Sequence, residues 1–227
     1  AGAWSRASWL VPALAAFALA TTTRVANAYG AERPRPNNLF YVEDHAKGRA
    51  QWVTFTPAND SWLEPRFGSD TQPCSPRDFG VAWWPFDGRC APAPQLDLAV
   101  PQATLLSERR EGSTRKLSIR VSSSRQAPVV AIALPDRGRV VAATLQGKPV
   151  VAQNVAPNVP WSVVFWGVPD DGLRLELELR GTGALDLHVV DQAFDLDSRI
   201  GKRPTEFLSL PALILFDSSR SHQLCRL

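Results

Sequence analysis

The sequence predicts an all-β fold, an antiparallel β-sandwich ectodomain that follows one N-terminal transmembrane helix. Three observations lead to this prediction. A charge-free apolar segment stands near the start, apolar and polar residues alternate repeatedly from Leu105 onward, and the chain holds 19 prolines, which helical bundles tolerate poorly. The alternating segments recur about every ten residues with turn residues between them, which is typical of antiparallel sandwiches.

The first predicted element is a membrane anchor over residues 1–30. Its apolar stretch runs from Ala7 to Thr23 without a charged residue. As a helix this stretch would be roughly 25 Å long, near the lower limit for crossing a membrane. Aromatic side chains suited to the membrane interface flank it: Trp4, Trp9 and Tyr29. We expect a retained anchor, and a cleavable leader ending at Ala28 is the alternative.

Residues 31–101 are predicted to form a linker, a hairpin and Pro/Trp-rich loops that pack on the sandwich. Cys74 and Cys90 flank an apolar stretch in this segment, and a loop of that size can be closed by a disulfide. A disulfide is our first expectation and two free thiols are the alternative. A metal site is disfavoured because no C-x-x-C spacing occurs.

The same stretch carries three large aromatic residues in a predicted loop, Trp83, Trp84 and Phe86. They offer more apolar surface than a loop needs. Two readings stay open: the loop contacts a partner protein, or it folds back onto the core.

Residues 102–227 are predicted to be the sandwich itself. Leucines alternate with charged residues from Leu173 to Arg180, as expected of a strand with one buried face. The segment Trp161–Trp166 is continuously apolar, which predicts a strand buried on both faces.

No complete catalytic motif is visible, so we expect no catalytic, cofactor-binding or metal-binding residues. One segment gathers an imidazole with several carboxylates, namely Asp186, His188, Asp191, Asp195 and Asp197. The period of two places Asp186 and His188 on one strand face, which we predict to be solvated rather than a metal site. His45 lies in a predicted hairpin turn and His222 in the polar tail, and neither is near a nucleophile in the sequence.

The order of strands and turns resembles the region that follows the last membrane helix in bacterial membrane-bound M28-type zinc peptidases, relatives of the endoplasmic-reticulum metallopeptidase. The resemblance begins near residue 38 and covers almost all of the remaining chain. It is carried by the segments Asn38–Val42, Gly48–Val53, Asn59–Leu63, Leu106–Ser107, Arg115–Val121, Ser123–Pro128, Gly147–Val150, Trp161–Gly167, Pro169–Leu173, Val189–Gln192, Arg203–Pro204 and Phe216–Leu227.

The resemblance implies a periplasmic or lumenal β-sandwich after a membrane helix. The zinc ligands of that family lie in a separate peptidase domain, and no segment of this chain matches that domain. No catalytic residue can therefore be transferred to this sequence.

Composition and resemblance together lead to one functional expectation. A net charge of +3 without a basic block argues against nucleic acid as a partner. We expect a non-catalytic, single-pass accessory subunit of a larger membrane protein complex in the cell inner membrane, with its sandwich in the periplasm. Its partners would be the lipid bilayer and the other subunits. The alternatives are the C-terminal part of an M28-type peptidase and a periplasmic ligand-binding module.

Overall fold

A computed structural model describes residues 10–26, 29–56, 60–75, 88–150, 160–209 and 218–227. About half of the residues that the structure describes lie in strands, so the prediction of a mostly β protein is confirmed. The chain separates into two compact units. The smaller comprises Ala1–Pro36 and Pro204–Leu208, and the larger comprises Asn37–Arg203 and Ser209–Leu227.

Two helices and fifteen strands make up the described fold. The helices are α1 (Leu10–Ala26) and α2 (Leu196–Ile200). The strands are β1 (Arg35–Asn37), β2 (Phe40–Asp44), β3 (Arg49–Thr54), β4 (Gln72–Cys74), β5 (Gly88–Pro92), β6 (Gln102–Glu111), β7 (Thr114–Ser122), β8 (Val129–Leu134), β9 (Val140–Leu145), β10 (Lys148–Pro149), β11 (Trp161–Trp166), β12 (Leu173–Arg180), β13 (Asp186–Ala193), β14 (Phe207–Ser209) and β15 (Ser218–Arg226).

The smaller unit contains helix α1, at the place where the sequence predicts a membrane-spanning anchor. Four large apolar side chains of α1 are 61–69% exposed: Leu10, Leu14, Phe17 and Leu19. The helix has 17 residues, which corresponds to roughly 25 Å against a hydrocarbon layer of roughly 30 Å. Among the residues that the structure describes, no helix combines the length and the apolarity needed to cross a membrane.

The larger unit contains two sheets. The five-stranded sheet has the order β10-β9-β12-β7-β6, and the eight-stranded sheet has the order β11-β8-β13-β15-β2-β3-β5-β4. The described pairings in both sheets are antiparallel, except that β15 runs parallel to β2. Strand β15 therefore connects the strands of residues 40–92 to the strands from the second half of the chain.

One hydrophobic core lies between the two sheets. The five-stranded sheet contributes the alternating residues of β7 and β12, such as Ile119 and Leu175, which are fully buried. The eight-stranded sheet contributes Ile132 and Val189 from its opposing face. Burying these branched side chains is the main favourable term for folding, at about 25 cal/mol per Å² of apolar surface. The predicted alternation in β7 and β12 is confirmed.

The turn before β12 requires glycine. Gly172 has φ +85°, and a Cβ atom there would lie 2.6 Å from the carbonyl oxygen of Val121 on β7. Only a residue without a side chain accepts both the backbone conformation and the close approach. This glycine allows β12 to enter the sheet directly beside β7.

One prediction about the arrangement differs from the structure. Strand β11 lies at one end of the eight-stranded sheet, so burial on both faces is wrong for Trp166, which is 45% exposed and stacks on Phe194. The parallel pairing of β2 with β15 joins residues far apart in sequence, which no local pattern indicates.

Candidate functional site

The centre of the eight-stranded sheet is polar where a core strand would normally be apolar. Five consecutive residues at the start of β15 are buried, with at most 2% of each exposed: Ser218, Ser219, Arg220, Ser221 and His222. Strand β15 is paired on both sides, with β13 and with β2. Buried polar groups at such a position need partners, because removing them from water without hydrogen bonds is costly.

On one face of β15, three side chains form a continuous chain of hydrogen bonds, which we call the histidine relay. The Asp44 carboxylate Oδ1 lies 2.8 Å from His222 Nδ1, and His222 Nε2 lies 2.9 Å from His188 Nδ1. The two imidazole rings are nearly coplanar, with an angle of 4° between their planes. The relay links β2, β15 and β13.

The relay fixes the tautomers of both histidines when the rings are neutral. A carboxylate only accepts hydrogen bonds, so His222 donates through Nδ1 and its Nε2 is an acceptor. His188 then donates through Nδ1, and its Nε2 at the other end carries a lone pair. The relay therefore ends in a nitrogen that can take up one proton.

Burial and charge act in opposite directions on the carboxylate of the relay. Burial alone would raise the pKa of Asp44, but the hydrogen bond from His222 and the charges of His222 and Lys47 outweigh it, so this pKa is lowered. Lys47 Nζ is 3.6 Å and Arg49 Nε 3.9 Å from Asp44 Oδ2. Asp44 is therefore held as a carboxylate inside the sheet.

His188 does not lie on a solvated strand face, so that prediction is wrong. It is half-buried, and burial followed by the neighbouring His222 lowers its pKa. The reason is that this face of the eight-stranded sheet carries a second apolar cluster that includes Phe40, Val42 and Val190. Both faces of the sheet are consequently buried near its centre.

A fully buried arginine lies on the same face of β15, two residues before His222. The guanidinium carbon of Arg220 is 4.8 Å from the centre of the Phe40 ring, a cation–π distance. Burial lowers the pKa of Arg220 well below its usual range. The aromatic face of Phe40 compensates part of the cost of burying the guanidinium group.

The opposite face of β15 is held by a second set of contacts, the arginine cluster, formed by Arg125, Asp191 and Ser219. Arg125 donates from Nε and Nη2 to Asp191 Oδ1 at 3.0 and 2.8 Å, and from Nη1 to Ser219 Oγ at 2.5 Å. Ser123 Oγ donates to Asp191 Oδ2 at 2.5 Å. Ser219 Oγ in turn donates to Asp195. The cluster ties the loop after β7 to both β13 and β15.

The acidic segment singled out in the sequence does not converge on one point. Asp191 and Asp195 contact the arginine cluster, whereas Asp186 is exposed at the start of β13. Among the described residues there is no group of three or more His, Cys, Asp or Glu side chains placed to hold a metal ion.

The other predicted site residues fall into two groups. Cys74 and Cys90 are joined by a disulfide between the neighbouring strands β4 and β5, with their Cα atoms 5.7 Å apart. Tyr29 is 63% exposed, and the guanidinium group of Arg35 lies 5.9 Å from its ring centre. The remaining five predicted site residues lie outside the described part of the chain: Trp4, Trp9, Trp83, Trp84 and Phe86.

The five-stranded sheet offers a different kind of surface. Its outer face forms an open depression of about 550 Å³, lined by Ser118, Thr144 and charged side chains of β6, β7 and β12. The charges largely pair within the sheet, for example Lys116 with Glu111 and Arg174 with Glu176. This is the arrangement of a solvated sheet face.

Sequence reasoning missed Asp44 and Arg125 entirely and placed His222 in a polar tail. Asp44 and His222 are 178 residues apart, and Arg125 is 94 residues from Ser219. The only local signal is that a short polar segment ends the chain. No protein-family model matches this chain, and no curated protein matches it either.

Proposed function

We propose that this protein is a non-catalytic accessory module of a larger membrane protein complex, with its two sheets forming a β-sandwich in the periplasm and helix α1 attaching it to the membrane. The observation that carries the proposal is the exposure of the large apolar side chains of α1. Exposed apolar surface of this kind favours a lipid or protein partner.

The disulfide supports the proposed compartment. Cys74 and Cys90 are bonded in the described structure, and such bonds persist in oxidising compartments and are rare in the cytoplasm. The third cysteine, Cys225, is free. The periplasmic location therefore rests on the disulfide and on the resemblance, independently of the apolar helix.

The polar groups of the sheet centre support a structural role. Asp44 and His222 bind each other, and Asp191 binds Arg125, so these side chains are used to join strands. A nucleophile or a general base needs a side chain directed at a substrate instead. We therefore assign the buried polar groups to holding the sandwich together.

Two charge-introducing variants test the membrane role of α1. Leu10→Glu with Leu14→Glu places two carboxylates on the exposed surface of α1, whereas Leu105→Glu with Leu106→Glu places two on exposed leucines of β6. We expect only the α1 variant to leave the washed membrane fraction and to lose co-migration with other chains on a native detergent gel. Equal behaviour of the two variants would contradict the proposal.

Counting thiols tests the compartment. The chain has three cysteines, so alkylation under denaturing, non-reducing conditions labels one thiol if the disulfide has formed and three if it has not. We expect one labelled thiol, Cys225, in protein taken from its native membrane. Mass spectrometry of the co-migrating chains identifies the complex, and a zinc peptidase domain among them would make this module its C-terminal part.

A further inference from the structure

The histidine relay lies where the pairing of β15 with β2 ends. The parallel register runs from Ser218 opposite Phe40 to His222 opposite Asp44. Asp44 is the last residue of β2, and the backbone N–H of His45 donates to the His222 carbonyl at 3.1 Å. Beyond this point β15 continues with β13 as its described partner, up to the pairing of Arg226 with Asp186.

The contact between the two imidazoles can hold only one proton. His188 Nδ1 and His222 Nε2 are 2.9 Å apart, so one nitrogen must donate while the other accepts. Two separate imidazolium rings would carry a proton on each of these nitrogens. An opened relay therefore binds at least one more proton in acid than the closed relay.

We propose that the histidine relay is an acid-sensitive latch on strand β15: it holds β15 against β2 and β13 near neutral pH and opens in acid, when a second proton enters the contact between the two imidazoles. The state that binds more protons is favoured as the pH falls. The proton-limited contact at 2.9 Å thus makes opening a consequence of acidification. The latch does not depend on the proposed membrane role.

Charged side chains on the neighbouring strands β3 and β13, on β15 itself and in the turn after β2 surround the relay. Asp186 lies on β13, Lys47 in the turn after β2 and Arg49 on β3. Strand β15 itself carries Arg220 and Arg226. Strand β8, which lies opposite His188, contains only Val, Ala, Ile and Leu and adds no charge. Asp186 and Asp44 favour the protonated form of His188, whereas burial, His222 and Lys47 oppose it more strongly.

The sign of the pH effect follows from the lowered pKa of His188. In an unfolded or opened segment this ring titrates near its ordinary pKa of about 6.5. Because the closed form titrates lower, its stabilising contribution is present above about pH 6.5 and is lost as the pH falls below that value. Acid therefore opens the latch.

Opening is confined to the end of the strand. Residues Ser218–Ser221 remain attached through the arginine cluster, whose contacts join a guanidinium group to a buried carboxylate and a hydroxyl. None of these contacts involves an imidazole, the group on which the latch depends. The segment released is His222–Leu227.

Hydrogen–deuterium exchange of the full chain tests the latch. Protection factors, which remove the intrinsic pH dependence of exchange, are compared at pH 7 and pH 5. One linked proton changes an opening equilibrium by up to about tenfold per pH unit, so we expect protection of residues 222–226 to fall by about tenfold or more. Protection in β7 and β12 should stay constant.

Matched histidine variants decide whether the relay is responsible. His188→Gln can present either its amide N–H or its amide oxygen to His222 Nε2, so the contact no longer limits the number of protons and the change between pH 7 and pH 5 should disappear. His45→Gln removes the histidine that is outside the relay and should leave the change intact. The proposal is overturned if wild-type protection is pH-independent, if His188→Gln retains the change, or if His45→Gln abolishes it.

Discussion

Strands β12 and β15 both lie inside a sheet, with a neighbour on each side, yet they are buried by opposite means. Strand β12 alternates, with Leu173, Leu175, Leu177 and Leu179 in the core and charged residues facing out. Strand β15 begins with five buried polar residues in succession. A leucine needs only an apolar environment, whereas a buried serine, arginine or histidine needs a particular partner with particular geometry.

This difference predicts how the two strands respond to substitution. Shortening a core leucine lowers the free energy of unfolding in proportion to the volume removed. A substitution that conserves the side-chain volume is therefore tolerated. A buried ion pair instead depends on chemical identity, because removing one member leaves an uncompensated charge. The following predictions test that contrast, beginning with the largest expected effect.

Arg125→Met is expected to be the most destabilising change. It removes the guanidinium group from Asp191, which is completely buried, and should lower the free energy of unfolding by about 3–5 kcal/mol. Chemical denaturation at neutral pH measures this loss. Arg125→Met with Asp191→Leu together should recover much of it, and a loss below about 1 kcal/mol in the single variant would show that Asp191 finds another partner.

Leu175→Ala on β12 should cost about 2–5 kcal/mol through the lost burial and the cavity left in the core. Its control is Leu175→Met, which conserves volume and should cost less than about 1.5 kcal/mol. If Leu175→Met destabilised the protein as much as Leu175→Ala, the exact shape of the β12 side chains would matter and the contrast with β15 would fail.

Removing the disulfide, which joins β4 and β5 at the β4 edge of the eight-stranded sheet, should lower the free energy of unfolding by an intermediate amount. Cys74 and Cys90 are 16 residues apart, and a loop of this size corresponds to about 3 kcal/mol of stability. We expect Cys74→Ser with Cys90→Ser to show that loss in thermal or chemical unfolding and to be insensitive to reductant. Cys225→Ser should keep the wild-type response to reductant.

Arg174→Gln on the outer face of β12 should have the smallest effect. The side chain is 63% exposed, and its ion pair with Glu176 is screened by solvent. We expect a change within about 0.5 kcal/mol in the same unfolding assay. A loss above about 1.5 kcal/mol would mean that the ion pairs on the outer face of the five-stranded sheet contribute substantially to stability.

The prediction from sequence succeeded where each residue reports on its own environment. The alternation in β7 and β12 follows from the period of two and the contrast between apolar and polar residues. It failed for His188, because the same alternation cannot say whether the second face of a sheet is covered. It also failed for Trp166, because an apolar run does not reveal whether its strand lies at an edge.

Sequence patterns alone predict that this protein is mostly β, where the alternating strands of the five-stranded sheet run, and which two cysteines lie at a spacing that a disulfide can close. Only the folded arrangement shows that the polar segment Ser218–His222 lies in the middle of a sheet. In that position His222 is bound by Asp44 and His188, and Ser219 by Arg125, all of which come from distant parts of the chain. A local pattern of apolar residues predicts which of them are buried. A buried polar residue instead depends on a hydrogen-bond partner, and partners that are distant in sequence meet only in the folded chain.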